Sequence, residues 1–249
     1  MGTIDFLSSK EELVFSIFRT IAPRYDLVNT IVSFGRLHSW RRFMVEKAAP
    51  SPGQRVLDVC CGTGMITKDL AAKVKPDGKV IGLDLSPEML AVAERNLAEL
   101  IQKNLVQLVQ GNAMALPFPD GSFDCVTIGY GLRNVSDRRQ TLRELFRVLK
   151  PGGKVVSLEL AKPSLPLFNK LYHLYMATFP PLIGSLLTGN KEAYLYLHCS
   201  VMSYPHQREI TRLFHEIGFR DVNCSELSWG LAAVHVGLKP AAPPASPSP

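Results

Sequence analysis

The chain contains 249 residues, of which 46% are hydrophobic and 20% are charged, and its formal net charge is +6. These values are typical of a globular protein large enough for one α/β domain with an insertion. The basic residues are scattered and form neither an arginine-rich arm nor an aromatic RNA-binding motif, so a nucleic-acid partner is not expected.

Three helices are predicted before the first strand. Apolar residues recur at helical spacing over residues 11–21, and two shorter helices are predicted to follow before residue 50. These helices either cover a face of the sheet or roof a site. The roof is favoured by four polar and aromatic residues, which are Tyr25, Asp26, Asn29 and His38.

A strand, a tight turn and a helix then follow. Val56–Val59 is a run of strand-forming residues that ends at Gly62 and Gly64, where a ligand can lie against backbone that lacks side chains. The next strand, 79–83, is followed by Asp84, an acceptor for the two hydroxyls of a ribose. Thr67 replaces the third glycine of the dinucleotide motif, so the pattern favours a nucleoside without a pyrophosphate, most commonly S-adenosylmethionine.

Strands and helices continue to alternate to residue 160. Helices are predicted at 88–101 and 138–149, and strands at 106–109, 122–128 and 154–160. This alternation predicts a mostly parallel sheet with helices on both sides. Asn112 then lies where an adenine could be read, and Arg133 and Asn134 face the same crevice as Gly62.

The region 163–205 breaks this alternation, because it is long, aromatic and apolar. We interpret it as an insertion able to line an apolar pocket beside the crevice. Its charged residues and the pair Pro180-Pro181 argue against a transmembrane span. A helix at 209–217 and a hairpin of strands 220–227 and 231–238 follow, and the tail is predicted to be disordered from its composition.

The cysteines indicate a reduced, cytoplasmic chain. There are five of them, without a CxxC pair, and no secretory signal stands at the start of the sequence. Adjacent Cys60 and Cys61 are interpreted as small apolar side chains under the glycine loop. The histidines and cysteines lack the spacing of metal ligands, so no metal site is predicted.

Three motifs carry a family resemblance. They are APRYDLVN at 22–29, GNAMALPFP at 111–119 and GLRNV at 131–135. With them the chain resembles, from about Phe15 to Lys239, the ubiquinone/menaquinone biosynthesis C-methyltransferases of the UbiE/MenG type. The wording of CCGTG at 60–64 and GNAM at 111–114 is closer to the menaquinone branch, in which demethylmenaquinol becomes menaquinol.

This resemblance implies a fold, a cofactor and a domain organisation. The fold is that of class I S-adenosylmethionine-dependent methyltransferases, which is α/β and Rossmann-like, with a seven-stranded, mostly parallel sheet ending in an antiparallel hairpin. Residues 1–50 would form a helical cap, 51–239 the methyltransferase domain with its insertion, and 240–249 the disordered tail. The cofactor residues implied are Asp58, Gly62, Thr63, Gly64, Asp84, Leu85, Asn112, Ala113 and Gly129.

The quinol site implied by the resemblance consists of Tyr25, Arg133 and Asn134. A ring carbon becomes nucleophilic when the neighbouring hydroxyl ionises, so the substrate is expected to be the quinol rather than the quinone. Arg133 would stabilise the phenolate, directly or through a water, while Asn134 and Tyr25 hold the ring hydroxyls. Arginine stays protonated and is a poor base; the histidine candidates for the base are His173, His198 and His206.

Two positions depart from the family pattern. Met65 stands where the family often has an acidic residue, and Gly129 where many members have a serine that touches the cofactor. Neither position carries the chemistry, so the expected activity is unchanged.

The prenylated substrate predicts peripheral contact with the inner face of the cell membrane, and a homo-oligomer is a further expectation. Two alternatives stay open: a methyltransferase of another small aromatic molecule, and a non-catalytic quinol-binding scaffold.

Overall fold

The computed structural model describes residues 9–241. Three helices come first: α1 (Ser9–Ile21), α2 (Tyr25–Val32) and α3 (Arg36–Ala48). Pro23 lies in a 3₁₀ turn that joins α1 to α2. Gly35 has a φ of 72° and lies between α2 and α3, where its N–H donates to the carbonyl of Thr30 at 2.8 Å.

The seven strands form one sheet in the order β3-β2-β1-β4-β5-β7-β6. Their bounds are β1 Arg55–Val59, β2 Lys79–Asp84, β3 Val106–Gln110, β4 Phe123–Gly129, β5 Leu149–Leu160, β6 Arg220–Leu227 and β7 Ala232–Leu238. The first five strands pair in parallel, whereas β7 is antiparallel to both β5 and β6. The predicted seven-stranded sheet with a terminal hairpin is confirmed.

Helices cover both faces of this sheet. The four that alternate with strands are α4 (Met65–Val74), α5 (Pro87–Gln102), α6 (Arg138–Val148) and α9 (Gln207–Ile217). One core cluster joins α6 and α9 to the sheet, and a second joins α3, α4 and α5 to the opposite face. Because both faces are buried, the parallel strands are apolar along most of their length. At the start of α5, the hydroxyl of Ser86 accepts the N–H of Met89 at 3.2 Å.

The start of β5 was predicted wrongly. The strand begins at Leu149, five residues before the predicted start, and α6 ends at Val148. Phe123 pairs with Leu149 and Cys125 with Lys154, so residues 150–153 form an excursion opposite a single residue of β4. The turn-forming residues at 150–153 are typical of such an excursion, but the sequence does not show that Leu149 already pairs with β4.

The insertion consists of two helices, α7 (Pro166–Thr188) and α8 (Lys191–Ser203). Pro180 and Pro181 both lie inside α7. The N-terminal helices pack against this insertion through a cluster that includes Ile17, Val28 and Tyr194. In the part of the chain that the structure describes, no helix is long and apolar enough to cross a membrane.

Of the predicted tail, only Pro240 and Ala241 belong to the described residues, and 242–249 lie outside them. The division into a cap, a central domain and a tail stays a prediction.

Candidate active site

The loop between β1 and α4 passes over the carboxyl edge of the sheet. Cys60, Gly62 and Gly64 have φ values of 57°, 55° and 82°, in the left-handed region that glycine tolerates best. A Cβ at Gly64 would lie 2.5 Å from Leu97 Cδ1, so this glycine lets the loop pack on α5. A Cβ at Gly62 would have no heavy atom within 4 Å, which leaves room for a ligand against the backbone.

Asp84 fixes this loop from the neighbouring strand. Its Oδ2 accepts the N–H of Gly62 at 2.8 Å, and its Oδ1 accepts the N–H of Ser86 at 3.0 Å. Burial raises the pKa of the Asp84 carboxyl, although these two N–H groups oppose the shift. The N–H of Leu85 also interacts with this carboxylate, which has about four acceptor sites, so Asp84 keeps acceptor capacity for a ribose hydroxyl.

A cavity, here called the carboxyl-edge cavity, opens beside Asp84. Asp84, Leu85, Asn112 and Ala113 line it, together with Gly62 and Gly129. Helix α1 covers it with Val14, Phe15 and Phe18. The Oδ1 of Asn112 accepts the N–H of Met114 at 2.9 Å, which orients its amide. The cavity therefore combines an apolar roof with the polar groups that a nucleoside requires.

Three of the predicted cofactor residues lie at the margin of this cavity or beneath it. Asp58 is fully buried under the loop, where its two oxygens accept the hydroxyls of Thr67 and Thr127, each at 2.7 Å. Burial raises its pKa to about 6. Neither Asp58 nor Gly64 lines the cavity, and their contacts instead support the conformation of the loop. Thr63 lines a neighbouring cavity.

That neighbouring cavity, here called the apolar cavity, has a volume of about 840 Å³. Helices α2, α3 and α7 form most of its wall, and apolar and aromatic side chains of α7 predominate on one side. The four residues that favoured a roof, Tyr25, Asp26, Asn29 and His38, all line it. The predicted apolar pocket beside the crevice is therefore present.

The two cavities meet at one place. Five residues line both of them: Tyr25, Cys60, Gly62, Gly129 and Tyr130. Ligands in the two cavities would therefore approach each other at this junction. Burial raises the pKa of Cys60 well above its usual value, which keeps the thiol protonated there.

Gly129 leaves space for a neighbouring side chain. A Cβ at this position would lie 2.2 Å from Ile66 Cδ1. A serine in place of Gly129 would displace Ile66, so the departure from the family pattern has a packing explanation.

Arg133 lines the apolar cavity and forms a buried ion pair that the sequence analysis missed. Its Nη1 donates to Glu159 Oε1 and to the carbonyl of Tyr130, both at 2.6 Å, and its backbone N–H donates to Glu159 Oε2 at 3.1 Å. The exposed side-chain fractions are 5% and 3%. Burial lowers the pKa of Arg133, but Glu159 and Tyr25 more than offset this, and the net shift is upward. The buried Nε has no partner among the described residues.

The sequence did offer a sign of Glu159, since it is a carboxylate near the carboxyl end of the predicted strand 154–160, on the edge of the sheet where Arg133 lies.

Tyr25 and Asn134 approach the same junction from different sides. Burial raises the pKa of Tyr25 to about 12, although Arg133 opposes the shift, so its hydroxyl remains a donor at neutral pH. Asn134 lines the carboxyl-edge cavity, its Nδ2 donates to the carbonyl of Tyr130 at 3.2 Å, and its Oδ1 accepts the hydroxyl of Tyr196 at 3.2 Å. The structure thus brings Tyr25, Arg133 and Asn134 together around Tyr130.

The histidine candidates for a base lie elsewhere. His206 precedes α9, where its ring accepts the N–H of Arg208 at 3.3 Å. The rings of His173 and His198 are 6.2 Å apart, and none of the three lines either cavity. His38 does line the apolar cavity, with its Nδ1 3.0 Å from Arg41 Nη2. Over residues 9–241, no group of three or more metal-ligating side chains is found.

The solved structure of an S-adenosylmethionine-dependent methyltransferase from Aquifex aeolicus is similar to this one. It has a TM-score of 0.58 at 20% sequence identity, and the match covers 80% of this chain and 89% of that chain. The sheet order, the glycine loop and the position of Asp84 give this protein the fold of the class I S-adenosylmethionine-dependent methyltransferases.

Sequence comparison identifies the family. The model of the ubiE/COQ5 methyltransferase family matches residues 6–239, and the chain belongs to this family. The demethylmenaquinone methyltransferase of Bacillus mycoides (strain KBAB4) is 43% identical over 232 residues, which are 93% of this chain and 98% of that protein. That of Geobacillus sp. (strain WCH70) is 44% identical over 231 residues, again covering 93% and 98%.

Proposed function

We propose that this protein methylates a ring carbon of demethylmenaquinol to form menaquinol, with S-adenosylmethionine as the methyl donor. The observation that carries the proposal is the junction, where a cavity suited to a nucleoside meets a larger apolar cavity. An apolar space of about 840 Å³ suits a naphthoquinol ring and the first part of its prenyl chain. The names of the relatives agree with this substrate.

The residues present fit the methyl donor. Gly62 leaves open space against the backbone, Asp84 keeps acceptor capacity for the ribose, and Asn112 and Ala113 line the end of the cavity where the adenine would lie. The donor supplies an electrophilic methyl group on a sulfonium. The protein's contribution is to align that methyl group with the ring carbon and to exclude water.

The reaction requires loss of a proton from the quinol. As the hydroxyl ionises, electron density moves onto the adjacent ring carbon, which bonds to the methyl group while the bond between methyl and sulfur breaks. The ring carbon then loses its own hydrogen as a proton, and aromaticity returns. A quinone has no hydroxyl group to ionise, so only the reduced substrate can follow this path.

Arg133, Tyr25 and Asn134 are proposed to act on the ring oxygens. The unpartnered Nε of Arg133 is a donor for a phenolate or for a water that takes the proton. Glu159 holds the guanidinium in place. Tyr25 is a neutral donor at the junction, and Asn134 is positioned by Tyr130 and Tyr196. We also propose the division into a cap (1–50), a methyltransferase domain (51–239) and a tail (240–249). The cavity-lining residues of α1 and α2 support a separate role for the cap.

The first test is transfer of labelled methyl from S-adenosylmethionine to demethylmenaquinol, with the oxidised compound as the control. We expect label on the ring only under reducing conditions. Transfer to a water-soluble phenol in preference to the quinol would favour another small aromatic substrate. Absence of S-adenosylmethionine binding by calorimetry would favour a non-catalytic quinol-binding scaffold.

We further propose that the enzyme contacts the membrane through an apolar stripe on α7. The stripe consists of exposed leucines at one face of the helix: Leu167, Leu171, Leu174, Leu182 and Leu186, with exposed fractions from 56% to 73%. Leu171 and Phe34, which is 73% exposed, also line the apolar cavity. The exposed apolar surface is therefore continuous with the cavity wall, and a prenyl chain could pass from a bilayer without crossing water.

Flotation with anionic phospholipid vesicles tests this contact. A triple variant, Leu167→Ser, Leu174→Ser and Leu182→Ser, should lower the partition into vesicles by at least about tenfold, because each leucine contributes on the order of 1 kcal/mol even when partly inserted. The control is Leu13→Ser, since Leu13 is 50% exposed on α1. Equal binding by all variants would exclude the stripe. If the wild type instead forms a dimer that the triple variant lacks, the stripe is the contact of a homo-oligomer.

A further inference from the structure

The glycine loop is bound to the N-terminal helices as well as to the sheet. The hydroxyl of Thr63 donates to Asp26 Oδ1 at 2.9 Å, and the carbonyl of Thr63 accepts Asn96 Nδ2 at 2.9 Å. Thr63 is only 4% exposed. Asp26 lies in the first turn of α2, one residue after Tyr25. A carboxylate from the cap is therefore fixed against the loop that binds the cofactor.

Burial raises the pKa of Asp26, and the Thr63 hydroxyl and the charge of nearby Arg41 oppose this shift only in part. Within residues 9–241, Asp26 has no salt bridge within 4.0 Å, and Arg41, a nearby cation that also lines the apolar cavity, pairs with Asp69 at 2.7 Å. Asp26 lines the apolar cavity beside Gly62 and Thr63. A cationic group of a ligand at this place would therefore meet a carboxylate that Thr63 holds in position and that forms no close ion pair among residues 9–241.

The placement of the nucleoside decides which part of the ligand reaches this carboxylate. With Asp84 and Asn112 on the ribose and adenine in the carboxyl-edge cavity, the amino-acid end would extend towards the junction at Gly62. The loop residues 60–65, CCGTGM, contain no acidic side chain of their own. Thr63 and Asp26 lie on the side of Gly62 that faces the apolar cavity.

We propose that Asp26 binds the α-ammonium group of the methionine part of S-adenosylmethionine, and so links the helical cap to the cofactor. Thr63 positions the carboxylate by donating to one oxygen and leaving the other for the ligand. The proposal rests on the cofactor and on the placement of its nucleoside, and it is independent of which quinol or phenol is methylated.

The test compares two ligands by calorimetry without any methyl acceptor. S-adenosylhomocysteine carries the ammonium group, whereas 5′-methylthioadenosine has the same nucleoside and lacks the amino-acid end. Asp26→Asn removes the charge and keeps an acceptor for Thr63. We expect Asp26→Asn to lower the affinity for S-adenosylhomocysteine by about tenfold, which is in the range of a hydrogen bond to a charged group. The affinity for methylthioadenosine should be unchanged.

Two further variants keep the test decisive. Glu46→Gln removes an exposed carboxylate on α3 that pairs with Arg42 and lines neither cavity, and it should leave both affinities unchanged. Thr63→Val removes the donor to Asp26 while keeping the charge, and it should weaken S-adenosylhomocysteine less than Asp26→Asn does. If Asp26→Asn lowers the affinity for both ligands equally, Asp26 only supports the loop and does not bind the ammonium group. Unchanged binding of S-adenosylhomocysteine would exclude the contact.

Discussion

Removing one member of the buried pair of Arg133 and Glu159 should be costly, because the other charge then lies buried without a partner. At 2.6 Å and an effective dielectric constant of about 20, the attraction between the two charges is roughly 6 kcal/mol before desolvation is subtracted. Desolvation of the two ions costs a similar amount, so the pair as a whole contributes little. Glu159→Gln leaves the guanidinium unneutralised, and we expect it to lower the free energy of unfolding by about 3–5 kcal/mol.

The double variant separates the pair from its parts. Arg133→Met alone leaves Glu159 charged and should cost a similar amount. Combining Arg133→Met with Glu159→Gln removes both charges, so the total loss should be clearly smaller than the sum of the two single losses. The difference between the sum and the double variant is the coupling energy, and we expect roughly 2 kcal/mol or more.

Urea denaturation followed by circular dichroism and tryptophan fluorescence measures these losses, with coincidence of the two transitions as the check on two-state unfolding. The matched control is the exposed pair of Arg139 and Glu216, whose side chains are 45% and 52% exposed. Glu216→Gln should cost less than about 1 kcal/mol. A loss for Glu159→Gln as small as that of the control, or strictly additive single losses, would refute the argument from burial.

Three other predictions follow from the loop and the sheet beneath it. Gly131→Ala should lower both stability and S-adenosylmethionine affinity, because the new Cβ would lie 2.6 Å from Cys60 Cβ. Adding Cys60→Gly removes this clash and should restore both properties. If the double variant shows no recovery, the clash is not the cause. Gly129→Ser should reduce cofactor affinity because the serine side chain displaces Ile66. Adding Ile66→Ala to this variant should restore the affinity. A gain in affinity from Gly129→Ser alone would contradict the packing explanation. Asp58 has a folded pKa of about 6, above the ordinary 3.8, so it contributes stability at low pH that is lost as the pH rises from about 4 to 6. Between pH 4 and pH 7 the wild type should therefore lose about 2 kcal/mol of stability relative to Asp58→Asn, measured by urea denaturation at both pH values. A constant difference between the two proteins would refute the raised pKa.

Short-range patterns predicted the centre of this site. The strand that precedes Gly62 and the strand that ends at Asp84 are each complete within a few residues, and parallel strands bring their carboxyl ends together. The placement of the glycine loop beside Asp84 could therefore be derived from residues 56–84 alone. The two strands of the terminal hairpin were predicted for the same reason, since their pairing is local.

Contacts between distant segments could not be predicted in this way. Glu159 meets Arg133 across 26 positions, and Asp26 meets Thr63 across 37. Such pairs depend on how helices and strands pack. The histidines show the same limit: composition makes every histidine a candidate base, but the rotation of each helix decides which one faces a cavity. His38 does so, whereas His173 does not.

The five residues shared by the two cavities give the enzyme a thermodynamic property. A ligand in either cavity would contact the same Tyr25 and Tyr130, so we expect the affinity for one ligand to depend on whether the other is present. Such dependence is reciprocal: the factor by which quinol changes the affinity for the methyl donor equals the factor by which the donor changes the affinity for quinol. If the coupling is favourable, retention of the methyl donor would rise with the supply of the substrate in the neighbouring cavity.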